Sequence, residues 1–226
     1  MLDVAIRVLF IGNSLTAAND LPSTVAALGR AAGVRIECSA VAKPDFSLED
    51  HWRDGEARRT IARRGWTFVV LQQGPSALPE SRVLLDEYVR RFDAEIRAAG
   101  AKTAVYMVWP SRARATDFPA VEASYAGAAA AVGAILFPVG EAWQEAWRRD
   151  PSLALYGPDG FHPSASGSAL AALVIVETLI GRPPPVSALP GLDAHARAVL
   201  AAAADAAIHA VRHARLIPPS WDERWT

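Results

Sequence analysis

The sequence contains very little cysteine, with Cys38 the single thiol among 226 residues. One thiol cannot form a disulfide within the chain, and a Cys-based zinc site needs several such ligands. Cys38 lies in the stretch RIECSA, where we expect a small buried side chain in a strand and not a reactive thiol. The sequence thus excludes a disulfide-stabilised scaffold, and we expect neither a metal ion nor an organic cofactor.

The chain also lacks an excess of charge of either sign, since 23 lysine and arginine residues balance 24 aspartate and glutamate residues. Proteins that bind nucleic acid usually carry a surplus of cations, so we expect no nucleic-acid partner. A small-molecule substrate is expected instead. The sequence leaves the oligomeric state open, and a homo-oligomer is compatible with it.

Long apolar segments are missing as well. The run ALAALVIVETLIG contains Glu177, and it is shorter than the roughly 20 residues that a helix needs to cross a bilayer. The N-terminal stretch MLDVAIRVLFIG has no basic lead and no small-residue cleavage site, so it is more typical of a first strand than of a signal peptide. We therefore expect no membrane association and a cytoplasmic location.

Hydrophobic residues make up 51% of the chain and charged residues 21%, which supplies enough apolar material for a sizeable core. Apolar runs typical of buried strands alternate with helical stretches. The predicted strands cover residues 6–11, 34–41, 68–72, 103–108 and 134–137. The predicted helices cover residues 21–32, 48–64, 81–99, 119–132 and 141–148, and a further long helix starts at Pro163.

This alternation predicts a parallel sheet of five strands that is covered by helices on both faces. The expected fold class is α/β, a three-layer α/β/α sandwich of flavodoxin-like type. The length suits one domain, because domains usually run to roughly 100–200 residues and sometimes more. We expect the domain to span residues 1–216, including an Ala-rich C-terminal helix, with residues 217–226 as a tail.

The stretch VLFIGNSLTAANDLP presents Ser14 just after a buried strand. Ligands of open α/β sheets gather at the carboxyl ends of the strands, so Ser14 is a candidate nucleophile. The alternative is ordinary turn chemistry, in which Ser14 or Asn13 only satisfies backbone groups. For Asn13 we favour such an Asx-type turn bond, and we expect the next helix to begin only after Asp20.

The stretch YGPDGFHPSASG places Asp159 three residues before His162. Because proline is favoured at the first helical position, Pro163 predicts that His162 lies at or beside a helix N-cap. A serine hydroxyl needs a base of this kind, and a carboxylate can orient the imidazole. The alternative is an Asp-Gly turn before a helix that starts with proline.

The motifs IGNSLT and DGFHPS resemble the first and last blocks of the SGNH/GDSL hydrolase superfamily of esterases and lipases, and the resemblance covers residues 8–181. It implies a catalytic triad of Ser14, His162 and Asp159. The short spacing from Asp159 to His162 argues against the ordinary α/β-hydrolase fold, which also uses a Gly-x-Ser-x-Gly elbow that is missing around Ser14.

The resemblance also implies an oxyanion hole with three donors, of which the Ser14 amide carries over directly. The second donor is a glycine amide in the family, and Asp45 stands in that place within AVAKPDFSLEDHW. The third is an asparagine in the family, and Ser76 stands in its place within VVLQQGPSALPE. Gln73 or Gln72 is the alternative third donor, and we favour Gln73 because it is nearer the loop.

Two further residues are candidates for substrate binding. Trp109 follows the fourth predicted strand, where it either lines the crevice or packs in the core. His51 lies on a predicted helix close to the second block.

The predicted function is a serine ester hydrolase that cleaves small, acetyl-like acyl esters of a carbohydrate or another alcohol through an acyl-enzyme. The sequence keeps two alternatives open. One is an O-acyltransferase with the same triad, and the other is a catalytically degenerate carbohydrate-binding protein.

Overall fold

The computed structural model describes residues 5–213. Its core is a five-stranded parallel sheet with the strand order β2-β1-β3-β4-β5. The strands are β1 (Ile6–Gly12), β2 (Ile36–Ala42), β3 (Phe68–Leu71), β4 (Lys102–Tyr106) and β5 (Ile135–Phe137). The predicted α/β sandwich with five parallel strands is therefore confirmed, whereas the tail predicted at residues 217–226 lies outside the described residues.

The described residues contain nine α-helices, of which α2 to α9 cover the two faces of the sheet. One layer contains α2, α8 and α9, the other contains α3 to α6, and α7 packs against α6, α8 and α9. The helices are α1 (Ser14–Ala17), α2 (Leu21–Ala31), α3 (Leu48–Asp54), α4 (Glu56–Ile61), α5 (Pro79–Ala98), α6 (Phe118–Val132), α7 (Val139–Arg149), α8 (Ala165–Ile180) and α9 (Ala194–His213).

The central strands are buried because they are apolar on both sides. All four residues of β3 are buried, as are the last five residues of β1. Such continuous apolar runs are typical of parallel strands between two helical layers. Since β1 pairs with both β2 and β3, the loops after these three strands meet at one edge of the sheet, where Ser14 follows β1.

Two helix predictions were wrong. The single helix predicted over residues 48–64 is broken into α3 and α4, because Gly55 has a φ of 79° and ends α3 in the left-handed region. The first helix was predicted to begin only after Asp20, but the short helix α1 begins at Ser14.

The start of α8 also differs from the prediction. Ser164 is the N-cap, and its hydroxyl accepts a hydrogen bond from the N–H of Gly167 at 3.1 Å. His162 thus lies two residues before the cap and not at it. Pro163 forms an isolated antiparallel bridge with Tyr156 and precedes the helix.

Cys38 lies on β2 and is partly buried, and burial raises the pKa of its thiol to about 12. Such a thiol is inert at neutral pH, as expected from its apolar surroundings. Among residues 5–213, no helix is both long enough and apolar enough to cross a membrane. The same part of the chain contains no cluster of three or more His, Cys, Asp or Glu side chains that could hold a metal ion.

Candidate active site

The structure brings together the side chains of Ser14, His162 and Asp159, which lie far apart in the sequence. The Ser14 Oγ lies 2.9 Å from Nε2 of His162, across 148 positions of the chain. The other ring nitrogen, Nδ1, lies 2.6 Å from Oδ2 of Asp159. Both distances are hydrogen-bond distances, so the three side chains form one continuous relay.

The histidine loop, residues 156–163, holds Asp159 largely through its own backbone. Oδ1 of Asp159 accepts hydrogen bonds from the N–H groups of Phe161 at 2.9 Å and His162 at 3.0 Å. These contacts lower the pKa of Asp159 to about 2. The hydrogen bond from the His162 ring has the largest effect, and the one from the Phe161 backbone has the second largest.

The ionised state of Asp159 fixes the tautomer of His162. A carboxylate has no proton to give, so Nδ1 of His162 must be the donor in this pair. In the neutral imidazole Nε2 then carries a lone pair that faces the Ser14 hydroxyl. This is the protonation pattern that a general base requires.

The nucleophile turn, residues 12–17, begins with Asn13 as a helix cap. Oδ1 of Asn13 accepts the N–H of Leu15 at 3.1 Å, which confirms the predicted Asx-type bond. The Asn13 carbonyl accepts the N–H groups of Thr16 and Ala17. Within residues 5–213 the N–H of Ser14 has no hydrogen-bond partner, so it is available to an incoming oxyanion.

Gln72 fixes the nucleophile turn from beneath. Its side chain is fully buried at the end of β3, where Oε1 accepts the Asn13 N–H at 2.9 Å and the Thr16 hydroxyl at 2.8 Å. Its amide donates to Oδ1 of Asn13 at 3.0 Å and to the Gln73 carbonyl at 2.6 Å. Both amide hydrogens are thus used, so the prediction of Gln72 as an alternative oxyanion donor was wrong.

Gly12 allows this close packing. A Cβ at position 12 would lie 2.4 Å from Oε1 of Gln72 and 2.5 Å from Oγ1 of Thr16. Both distances are well inside van der Waals contact. Glycine is therefore required at position 12 for Gln72 to form its hydrogen bonds with the nucleophile turn.

His51 supports the same turn and does not reach a substrate. Its side chain is fully buried, and Nε2 lies 2.7 Å from the Gly12 carbonyl, which can only accept. Nε2 is therefore the protonated nitrogen, and burial lowers the pKa of the ring, which favours this neutral form. The prediction of His51 as a substrate-binding residue is corrected on these grounds.

The second-block turn, residues 43–46, lies directly against the nucleophile turn. The Lys43 N–H donates to the Gly12 carbonyl at 3.1 Å, and Nδ2 of Asn13 donates to the Phe46 carbonyl at 3.1 Å. Asp45 has a φ of 60°, a conformation that glycine adopts without strain and that Asp tolerates better than most residues. This explains how Asp45 can stand where the resemblance expects glycine.

The Asp45 carboxylate is exposed, and its backbone N–H has no partner among residues 5–213. Lys43 does not pair with it, because its ammonium binds Asp54 and Glu56, each at 2.9 Å. The N–H of Asp45 therefore remains a candidate oxyanion donor, and that role stays a prediction.

Gln73 and Ser76 are not available as the third donor. The Gln73 amide donates to Oγ of Ser76 at 2.9 Å and to the Ser81 carbonyl at 3.3 Å, while its oxygen accepts the Leu48 N–H at 3.2 Å. The Ser76 hydroxyl donates to the Gly74 carbonyl at 2.9 Å. Both side chains are buried and satisfied inside the loop, so these two predictions were wrong.

Trp109 is a core residue and does not line the crevice. Its side chain is fully buried and stacks on Trp143 with ring centroids 3.7 Å apart. Nε1 donates to the Phe161 carbonyl at 3.0 Å, which is next to His162 in the chain. The predicted substrate contact is corrected, and the indole instead supports the histidine loop.

Sequence reasoning missed the supporting roles of Gln72, His51 and Trp109 because their contacts are long-range. Gln72 gave one usable signal, since it is a polar residue at the end of a strand that is otherwise entirely apolar. A fully buried glutamine must find several hydrogen-bond partners.

No protein-family model and no curated protein matches the sequence. Solved structures do match it. A candidate SGNH hydrolase from Slackia heliotrinireducens is 31% identical and superposes with a TM-score of 0.65, over 77% of this chain and 99% of that protein.

Two structures with lower sequence identity share the fold. A DUF4886 family protein from Bacteroides uniformis is 22% identical, with a TM-score of 0.75 over 91% of this chain and 95% of that protein. A lipase/acylhydrolase from Enterococcus faecalis is 17% identical, with a TM-score of 0.64 over 79% of this chain and 97% of that protein.

Proposed function

The chain belongs to the SGNH hydrolase superfamily and is by that membership a carboxylic ester hydrolase, and we propose that it cleaves small acyl esters through an acyl-enzyme on Ser14. The observation that carries this proposal is the relay from Ser14 through His162 to Asp159, with separations of 2.9 Å and 2.6 Å.

The first step is attack by the Ser14 hydroxyl on the ester carbonyl. Nε2 of His162 takes the hydroxyl proton as the new C–O bond forms, and the carbonyl electrons move onto oxygen. Asp159 stabilises the imidazolium that results, because it is anionic and bonded to Nδ1. The proton then passes from Nε2 to the leaving alcohol as the ester C–O bond breaks.

The oxyanion is stabilised by the backbone N–H of Ser14, and we assign the N–H of Asp45 as the second donor. Neither Gln73 nor Ser76 can serve as the third donor, because their side-chain hydrogens are used in hydrogen bonds inside their own loop. Since loss of one oxyanion donor costs about 10²–10³ in turnover in a well-studied hydrolase, we expect slow hydrolysis.

Deacylation uses the same groups in reverse order. His162 removes a proton from water, the hydroxide formed adds to the acyl carbonyl, and Ser14 leaves as the alcohol with the proton from Nε2. The half-exposed side chain of His162 gives water direct access to this base.

The scarcity of exposed apolar surface favours a small, acetyl-like acyl group. Among residues 5–213 the well-exposed large apolar side chains are those of Leu78 and Val83. A long acyl chain needs an apolar lining, whereas an acetyl group on a carbohydrate or another alcohol does not.

Hydrolysis of p-nitrophenyl acetate by purified protein tests the proposal. We expect turnover by the wild type and a loss of about 10³-fold or more in Ser14→Ala and His162→Ala, because each variant removes a member of the relay. Ser23→Ala is the matched control, since Ser23 is an exposed serine on α2 and its removal leaves the rate unchanged. Equal rates in all four proteins would contradict the proposal.

A fluorophosphonate probe separates an enzyme from a protein that only binds carbohydrate. We expect labelling of the wild type and of Ser23→Ala at Ser14, and none of Ser14→Ala. Product analysis with added alcohol acceptors then distinguishes hydrolysis from acyl transfer, because a hydrolase releases the free acid whether or not the acceptor is present.

A further inference from the structure

The relay joins two segments that the chain itself does not hold together. Ser14 and His162 are 148 positions apart, and their atoms must stay within about 3 Å for proton transfer. A contact between the nucleophile turn and the histidine loop is therefore needed to set this distance.

Asn19 makes that contact. Its Nδ2 lies 2.9 Å from the Pro163 carbonyl, 3.1 Å from the Ser164 carbonyl and 2.9 Å from Oγ of Ser168. The residue follows α1 by two positions, and Pro163 follows His162 directly. One amide thus joins the end of the segment that carries Ser14 to the end of the loop that carries His162.

The backbone at Asn19 is shaped for this contact. Its φ is 52°, and the following Asp20 has a φ of 51°. Two successive left-handed residues other than glycine are uncommon, although Asn and Asp accept this conformation better than most. Such strained conformations persist where the surrounding contacts hold them, and here the contacts are those of the Asn19 amide.

We propose that Asn19 is a positioning residue that sets the separation between the Ser14 hydroxyl and the His162 imidazole. It acts through the Pro163 and Ser164 carbonyls and touches neither the substrate nor the reacting atoms. This proposal rests on the proposed function, because it concerns the same relay.

Two substitutions remove the contact while they keep the left-handed backbone accessible. Asn19→Gly deletes the amide, and Asn19→Asp keeps the shape but turns the donor into an anion that faces two carbonyls. We expect kcat for p-nitrophenyl acetate to fall about 10-fold in Asn19→Gly and further in Asn19→Asp, with KM within about 3-fold of the wild type. A merely structural role would lower the amount of folded enzyme and leave kcat per folded molecule unchanged.

Arg182→Ala is the matched control. Nη2 of Arg182 donates to the Ala32 carbonyl at 2.6 Å and joins the far end of α8 to the end of α2. This contact spans 150 positions, close to the 144 to 149 that separate Asn19 from its partners. Since α8 has 16 residues, that contact lies about 24 Å along the helix from Asn19. We expect Arg182→Ala to lower the melting temperature as Asn19→Gly does and to leave kcat unchanged.

A crystal structure of Asn19→Gly gives a readout that does not depend on turnover. We expect the Ser14 Oγ to His162 Nε2 distance to exceed the 3.5 Å hydrogen-bond limit. Unchanged kcat with a distance of 2.9 Å would overturn the role of Asn19. If the wild type itself fails to hydrolyse esters or to react with the fluorophosphonate, the proposed function fails, and this distance alone decides whether Asn19 sets the separation.

Discussion

The nucleophile turn and the Asp159–His162 pair of the histidine loop meet in the same relay, but the hydrogen bonds that hold them come from opposite ranges of the sequence. The nucleophile turn is fixed by residues far away in the sequence, since Gln72 bonds Asn13 and Thr16, and His51 bonds the Gly12 carbonyl. In the histidine loop the pairing is local, because Asp159 accepts all three of its hydrogen bonds within the next three residues.

Because of this difference, substitutions in the two segments should affect stability and activity to different extents. The contacts of the nucleophile turn are buried, so removing them leaves unsatisfied groups in the core. Asp159 and His162 are half-exposed, so water can replace their contacts when one of them is removed. A change at Asp159 should therefore lower activity alone, and a change beneath the nucleophile turn should lower both activity and stability.

Among the variants that test this comparison, the largest effect is expected from Asp159→Asn. The amide can no longer hold the ring in the tautomer that leaves Nε2 free, and the corresponding change in a serine protease lowers kcat by about 10⁴-fold. We expect a similar loss of esterase activity, with little change in the free energy of unfolding, because the Asp159 side chain is half-exposed. Steady-state kinetics and urea unfolding measure the two quantities.

Asp193→Asn is the control for this variant. Asp193 also accepts a backbone N–H through its carboxylate, that of Ala196 at 2.7 Å, but it lies outside the relay. We expect full activity from it. A strong loss of stability in Asp159→Asn would show that the contacts of Asp159 extend beyond its own loop.

The next effect is expected from Gln72→Met. Methionine fills a similar volume but leaves the Asn13 N–H and the Thr16 hydroxyl without their buried partner. We expect the free energy of unfolding to fall by about 2–4 kcal/mol and kcat to fall about 10²-fold as the Ser14 hydroxyl shifts. Gln144→Met on α7 should change neither. A Gln72→Met enzyme with normal kcat would show that the hydrogen bonds of Gln72 to Asn13 and Thr16 do not position Ser14.

The pH dependence of kcat/KM tests the local bonding of Asp159. Because its pKa is lowered to about 2, Asp159 is anionic throughout the usual assay range. Asp159 therefore keeps its negative charge, and its hydrogen bond to the His162 ring, down to about pH 4. We expect Asp159 to add no slope of its own to log(kcat/KM) above about pH 4, so that the acid limb does not exceed a tenfold loss per pH unit. A slope of two would place Asp159 in that titration.

A smaller effect is expected from Asp45→Gly and Asp45→Asn. Both remove a carboxylate beside the site of the developing oxyanion, and both tolerate the observed φ of 60°. We expect kcat to rise about 3-fold in each. A rise in Asp45→Gly alone would assign the gain to the backbone and not to the charge.

The smallest effect is expected from Ser76→Ala. The Ser76 hydroxyl donates to the Gly74 carbonyl, so its loss should change kcat by less than about 2-fold. An oxyanion donor would instead cost about 10²–10³. A loss of that size would show that Ser76 is an oxyanion donor after all.

The fold was predictable because its signals are local. Continuous apolar strands and amphipathic helices follow one another along the chain, and the five predicted strands match the observed ones to within two residues at each end. The break at Gly55 and the early start of α1 at Ser14 were missed. Both are short-range features that depend on a single cap residue and leave no periodic pattern.

More of the site could be predicted in the histidine loop than in the nucleophile turn. The spacing of Asp159 and His162 encodes their contact directly, as the loop between them has only two residues. The partners of Ser14 come from other strands and helices, so Gln72, His51 and Asn19 could not be assigned from their positions in the sequence. The predictions for Trp109, Gln73 and Ser76 failed because burial had already committed their polar atoms to other partners.

The packing of Gly12 against Gln72 has a consequence for how such sequences can diverge. With Oε1 of Gln72 and Oγ1 of Thr16 both about 2.5 Å from the space that a Cβ at position 12 would fill, a larger residue at position 12 demands a shorter one at position 72. Because the same Cβ would also meet Thr16, homologues with a larger residue at position 12 are expected to carry smaller side chains at both position 72 and position 16.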